Sequence, residues 1–265
     1  MKKLSECLQG AFIAILASPF ILAWLPAIQA MLTGKVSAPY LDSLFSSFRQ
    51  LSITLGSTLL VVSSVTIALG YASVQWPIVG KITASALDAI ESVPAILIAL
   101  FCYAPVSGYL AGHSGSSSAF VSLLVFVFAA ALTTLPEALR GITLPLGDLY
   151  YRKYSLSFRS YGFTRSRILT VLLGTHIMKD AFKRTCAGIL LKTLVLDCSF
   201  GFIIQLGFGS YGTPAHASPG ALIAANRDAL FAGGEPLLFW IPVIPLVMIS
   251  MAFLIMFDDG KAKEI

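Results

Sequence analysis

Charge is what this chain has least of. Only 12% of its 265 residues are Asp, Glu, Lys or Arg, about half the share of a soluble domain, where roughly a quarter are charged. With 57% hydrophobic residues and a mean hydropathy of +0.84, the composition excludes a soluble globular protein and reads as an integral membrane protein. Histidine is equally scarce. His113, His176 and His216 are far apart and fall on different sides of the expected topology, which argues against a metal site built from them. Cys7, Cys102, Cys186 and Cys198 lie in or beside apolar runs without a CxxC pair, so they read as buried thiols and not as zinc ligands or disulfides. The sequence has no GxxxxGK[ST] phosphate loop. It also shows no nucleophile with an adjacent base and no paired carboxylates, which argues against an enzyme.

What is present is a series of apolar runs. Taking about 20 residues as one span, we place six transmembrane helices at about 11–32, 51–72, 92–110, 119–136, 185–206 and 237–257. Lys2 and Lys3 before the first run resemble a signal peptide, but the run continues past Pro26 without a small-residue cleavage pattern, so an uncleaved first span is expected. The fold class expected is therefore all-α and polytopic. Residues 1–50 hold the first span and an outer connection, and residues 51–265 form a core of five spans. Fourteen of the eighteen Lys and Arg fall on one side of this arrangement. By the positive-inside bias that side is cytoplasmic, with both termini inside, so the net charge of +5 reads as topology and not as a nucleic-acid surface.

The basic residues concentrate in one long interval, about 136–184, between the fourth and fifth runs. Loops of that length are usually functional. Within it, Tyr154, Phe158 and Tyr161 recur at i, i+4 and i+7, so a helix over 152–161 places three aromatics on one face, with Arg152, Ser155 and Arg159 on another. Gly162 ends that helix and Thr164 is positioned to start the next. Such a helix suits a groove on a partner. Packing of the stripe against the inner ends of the protein's own spans is an equal alternative. Farther along, Ser218 and Pro219 mark the start of an outer helix over about 219–231 that carries Asn226 and Arg227 and suits a place at the outer membrane surface or against the bundle. Lys192 and Asp197 are charges inside the fifth span. Their five-residue separation turns them about 140° apart on a helix, so each needs its own partner, as a pathway charge or as a structural pair with a neighbouring span.

The stretch KYSLSFRSYG over 153–162, followed by TRSRIL and by His176-Ile177-Met178, resembles the EAA loop of ABC-transporter inner-membrane permeases. It is closest to the dipeptide, oligopeptide and nickel importer family, whose loop has the form EYVxAARxxGxSxxxI followed by HILPN. Tyr154, Arg159 and Gly162 match that form; Ser157 and Phe158 replace the two small residues, Lys153 replaces the usual Glu, and Lys179 and Asp180 replace Pro and Asn. The order of further motifs agrees. Asp88 and Pro94 repeat the Asp-to-IlePro spacing, Leu206 to Gly209 resemble LGLG, residues 218–223 with Asn226-Arg227 resemble PSWGxML and its following GlyArg, and Asp259-Gly260 resemble GDG. The GTDxxGRD segment is reduced here to APYLDSL, residues 38–44.

The resemblance implies a non-enzymatic permease subunit of an ATP-driven importer in the bacterial cytoplasmic membrane, moving short peptides or a similar small solute inward. Its partners would be a second related permease, two cytoplasmic ATP-binding subunits that use ATP and Mg, an extracytoplasmic solute-binding protein and membrane lipid. The chain itself would hold no cofactor. Lys153, Tyr154, Ser157, Phe158, Arg159 and Gly162 would contact the ATPases. Two alternatives stand beside this: a nickel or metallophore permease of the same family, and a stand-alone ion-coupled carrier.

Overall fold

The computed structural model describes residues 38–112, 116–207, 218–231 and 236–258. The expected first span at 11–32 lies outside them, as do His113, His216 and the Asp259-Gly260 pair. The described residues are helical throughout, with no strand among them. In chain order the helices are α1 (Ala38–Gln75), α2 (Pro77–Glu91), α3 (Ala95–Gly112), α4 (Ser116–Tyr151), α5 (Lys153–Ser160), α6 (Arg165–Leu173), α7 (His176–Gly207), α8 (Pro219–Ala225) and α9 (Leu237–Asp258), with a 3₁₀ turn at Arg227–Leu230 between the last two. This is a membrane protein by length and composition. The stretches Pro39–Gln75, Phe120–Tyr151 and His176–Gln205 are each long and apolar enough to cross a bilayer, and a fourth span arises if α2 and α3, bent by 89° at their break, count as one. α9 is apolar as well, with Leu238–Leu254 as its stretch of described side chains.

Several helices outrun their expected bounds. α1 is already helical at Ala38, inside the stretch expected to be a polar connection, because Tyr40, Leu41, Phe45, Phe48 and Leu51 recur at helical spacing and are buried. The residues around Lys81, which lie between the expected second and third spans, form α2, which Pro77 opens at its first position, where a missing N–H is harmless. The largest correction concerns the interval 136–184. α4 runs on through Pro136 and Pro145 to Tyr151, and α7 already begins at His176, so only residues 152–175 lie between them. Prolines are tolerated in membrane helices where neighbours re-satisfy the freed carbonyls. Here the helix is also held by a stripe of Leu139, Ile142, Leu146 and Leu149, all buried.

α1 and α4 run side by side in the same direction, with Gly70 beside Ile142, and α7 returns against both. Val62, Ala138 and Ile189 form one buried cluster and so set a common level across the three helices. Phe48, Leu51 and Leu55 of α1 meet Leu190 and Leu194 of α7 and Ile249 and Phe253 of α9. α3 docks through Ala99 and Tyr103 onto Phe126, Ala130 and Phe200. At the end where α4 stops and α7 starts, Ile142, Leu146, Leu149 and Tyr150 bury against Ile168, Leu169 and Leu172 of α6 and Met178 of α7.

α8 does not lie at the surface. Its helix is shorter than expected, ending at Ala225 before the 3₁₀ turn, and Pro219, Gly220, Ala221 and Ala224 are buried against α7. The approach is close: a Cβ on Gly220 would sit 1.9 Å from the Cys198 carbonyl oxygen, and one on Gly201 would strike Ser218. Ser218 caps the helix as expected, its hydroxyl accepting from the Ala221 N–H at 3.2 Å.

Candidate coupling surface and the charged cleft

Two short helices close the end of the bundle where the basic residues gather. α5 ends in a Schellman arrangement: the Phe163 N–H donates to the Phe158 carbonyl at 3.1 Å and the Gly162 N–H donates to the Arg159 carbonyl at 3.0 Å. This geometry needs a left-handed residue after the cap, and Gly162, with φ of 80°, is the one described residue that supplies it. The Phe158 and Phe163 rings, 5.7 Å apart and edge to face, make the hydrophobic contact that accompanies the motif. The expected helix stop at Gly162 thus has a definite cause. Thr164 does stand at the start of α6, but its side chain makes no capping bond.

Two arginines fasten this hairpin to the long helices. Arg159 donates from Nη2 to the Tyr150 carbonyl at 2.8 Å, while its guanidinium lies 3.9 Å from the centre of the Tyr150 ring. It thereby satisfies an orphan carbonyl at the end of α4 and places positive charge at the negative end of that helix. Arg165 does the same for α1, donating to the Val74 carbonyl at 2.5 Å, and it stands 4.9 Å from the same Tyr150 ring. Tyr71 and Ser166 share a hydroxyl hydrogen bond of 2.5 Å. Tyr150 is therefore clasped between two arginines, each of which closes the end of a different long helix.

The outward face is aromatic and basic. Tyr161 is 80% exposed and Tyr151 is 69% exposed, and Leu156, Phe158 and Phe163 are also open to solvent. Lys153 and Ser157 are exposed beside them, and Arg167 stands 5.2 Å from the Phe163 ring. The side chain of Tyr154 lies outside the described set. Of the residues expected on the docking face, Lys153, Ser157, Phe158 and the ring of Tyr161 are presented outward, whereas Arg159 points inward as a fastener. Tyr71, Tyr150 and Ser166 were not anticipated. The Tyr150-Tyr151 doublet ahead of Arg152 is the signal in the sequence for Tyr150; Tyr71 and Ser166 are brought together only by the fold.

A second polar feature lies between α4 and α7. Lys192 forms an ion pair with Glu137, both side chains being about half exposed, so Lys192 has a structural partner on a neighbouring helix, as one of the two expectations held. The pair borders a cleft of about 240 Å³ whose walls include Thr134, Arg184 and Thr185. Gly141 lets the helices close beside it, since a Cβ there would come 2.6 Å from the Thr185 hydroxyl. One turn farther along α4, Arg140 reaches away from the cleft and binds Asp88 at 2.5 Å and Glu91 at 2.7 Å, which ties α2 to α4 just before the break at Pro94. Asp197 is fully buried in α7. Asn226 closes α8 by donating to the Leu222 carbonyl at 2.8 Å; Arg227 is exposed and lies 3.5 Å from Asp228, a surface contact. Among the described residues no group of His, Cys, Asp and Glu is arranged to hold a metal ion. Compared with known protein-family models and with curated protein sequences, the chain matches none.

Proposed function

We propose that this chain is the permease subunit of an ATP-driven importer, carrying short peptides or a similar small solute inward across the bacterial cytoplasmic membrane. On this reading it has six spans with both termini inside. It works with a second related permease, two ATP-hydrolysing subunits and an external solute-binding protein. One observation carries the reading: an aromatic and basic face on a short helix fastened to the ends of long helices. A helix held in a cleft of an ATPase transmits closure of that ATPase as rigid-body movement of the spans, and it does so only if it is stiffly joined to them. The clasp around Tyr150 supplies that stiffness.

The test is co-purification of the tagged chain with the products of neighbouring genes. Wild type should retain an ATPase subunit in mild detergent and Tyr161→Asp should lose it while melting at the same temperature, because the Tyr161 side chain is largely in solvent. Retention of no ATPase by wild type, together with solute uptake by the chain alone in liposomes, would replace this reading with that of an ion-coupled carrier. The Glu137–Lys192 pair beside a cleft is the feature on which a carrier would rest.

A further inference from the structure

The lower part of the bundle has a groove that the coupling surface does not use. It lies between α1, α4, α6 and α7 and has a volume of about 370 Å³. Its walls are Ile67 of α1, Ile142 of α4, Leu173 of α6, and Met178 and Phe182 of α7, and its rim carries Lys179 and Lys183. The two lysines are four residues apart on α7 and so stand one above the other on the same face. Both are exposed, and neither is paired with a described carboxylate. Asp180 is turned about 100° around the helix from Lys179 and stands one turn before Lys183, but forms an ion pair with neither.

The level of the groove is decisive. The apolar run of α7 on the far side of Lys183 and Arg184 extends to about Leu206, and a hydrocarbon layer about 30 Å thick is crossed in about 20 residues. Its other boundary then falls near residue 185. At 1.5 Å per residue, Lys183 lies about 3 Å and Lys179 about 9 Å beyond that boundary, which is the depth of the lipid headgroups. Ile67 and Ile142 follow Val62 and Ala138, which share a level with Ile189, by about one turn each, so the apolar walls straddle the same boundary. An apolar slot opening on hydrocarbon, with two unpaired ammonium groups at headgroup depth, complements one molecule class on both counts.

We propose that this groove is a binding site for one anionic phospholipid, an acyl chain lying against Ile67, Ile142 and Phe182 and the phosphate held by Lys179 and Lys183. Basic pockets between membrane helices at this depth take anionic headgroups. The site is independent of what the chain transports. A lipid seated there touches all three long helices and α6, so it stiffens the junction between the spans and the hairpin.

Native mass spectrometry of the full chain, purified in neutral detergent and incubated with phosphatidylglycerol or with phosphatidylcholine of the same acyl chains, reads the site directly. Wild type should retain one phosphatidylglycerol in clear preference to phosphatidylcholine. The double variant Lys179→Gln, Lys183→Gln should bind phosphatidylglycerol about tenfold or more weakly, on a scale of one favourable contact per lysine, and Lys81→Gln, an exposed lysine on α2, should not change it. Ile67→Trp, which fills the slot from a partly exposed position, should lower retention without touching a charge. Equal retention of both lipids by wild type, unchanged retention in the lysine variant, or displacement of the lipid by inorganic phosphate alone would each overturn the proposal.

Discussion

Arg159 offers a direct measure of how the basic hairpin is held. Replacing it with Gln removes the donor to the Tyr150 carbonyl and the guanidinium 3.9 Å from the Tyr150 ring. A hydrogen bond involving a charged group contributes about 1.5–3 kcal/mol, and a cation over an aromatic face at a partly exposed site about 0.5–1 kcal/mol. The two share one side chain and are not strictly additive, and the hairpin is accessible to water, so a total of about 2–4 kcal/mol is an upper range. At 1.4 kcal/mol per factor of ten, local opening of α5 becomes roughly 30- to several-hundred-fold more frequent. Amide hydrogen exchange reads such local opening. Exchange across Lys153–Phe163 should accelerate by that factor in Arg159→Gln, while amides at the buried level of Val62, Ala138 and Ile189 stay unchanged. Arg159→Lys should fall between, because Lys keeps the charge but loses the planar fork. If exchange in Arg159→Gln rises less than about threefold, the clasp is not what holds the hairpin. Arg159 would then have to act on a partner and not on Tyr150.

Three further outcomes follow from the same contacts. Gly220→Ala brings a Cβ to within 1.9 Å of the Cys198 carbonyl; thermal unfolding should show a loss of at least about 1–3 kcal/mol, the usual range for overpacking, and a smaller loss would mean that α8 can lift from α7. Gly162→Ala meets no atom within 4 Å, so only the strain of a left-handed non-glycine residue remains, about 1–2 kcal/mol, and it should appear as faster exchange in α5 with little change in overall melting. A double-mutant cycle with Glu137→Gln and Lys192→Met should give a coupling energy of about 1 kcal/mol or less, because both side chains are half exposed and solvent screens such pairs; a value above about 2 kcal/mol would show that the cleft excludes water.

Local chemistry was readable wherever a single residue type dictates the backbone. The stop at Gly162, the start at Ser218-Pro219 and the start of α9 follow from glycine conformation, capping and the onset of an apolar run, and the structure places them where those rules do. The extent of α4 was not readable in the same way. Pro136, Glu137 and Arg140 together lower the apolar signal and mark a boundary, yet the helix passes straight through them, because each charge finds a partner on an adjacent helix. Beyond that point the stripe of Leu139, Ile142, Leu146 and Leu149 keeps helical spacing, and its last three members are buried by α6, an element whose position the sequence does not encode locally. The dual nature of the basic segment was hidden for the same reason. Periodicity put Arg159 on the face opposite the aromatics, which is correct, but only the fold brings the end of α4 beneath it and turns a surface arginine into a fastener.

That difference changes how the hairpin can act. A loop of some fifty residues tethered at two distant points would absorb a push on Tyr161 by bending. The observed arrangement leaves no such slack, since α5 and α6 rest on helix ends that continue without interruption into the bundle: Tyr150 at the foot of α4, Val74 at the foot of α1 and Met178 at the head of α7. α4 in turn carries Glu137 and Arg140 on successive turns, one reaching to α7 and the other to α2 beside the 89° break. Movement imposed on the exposed face therefore reaches the α4–α7 cleft and the α2–α3 bend through one continuous helix. Breaking the Arg140 contacts with Arg140→Ala should uncouple the bend alone, which distance measurements between spin labels on α2 and α4 would register as a broadened distribution. An unchanged distribution would mean that the apolar contacts of Leu87 hold α2 in place and that the ion pairs only accompany them.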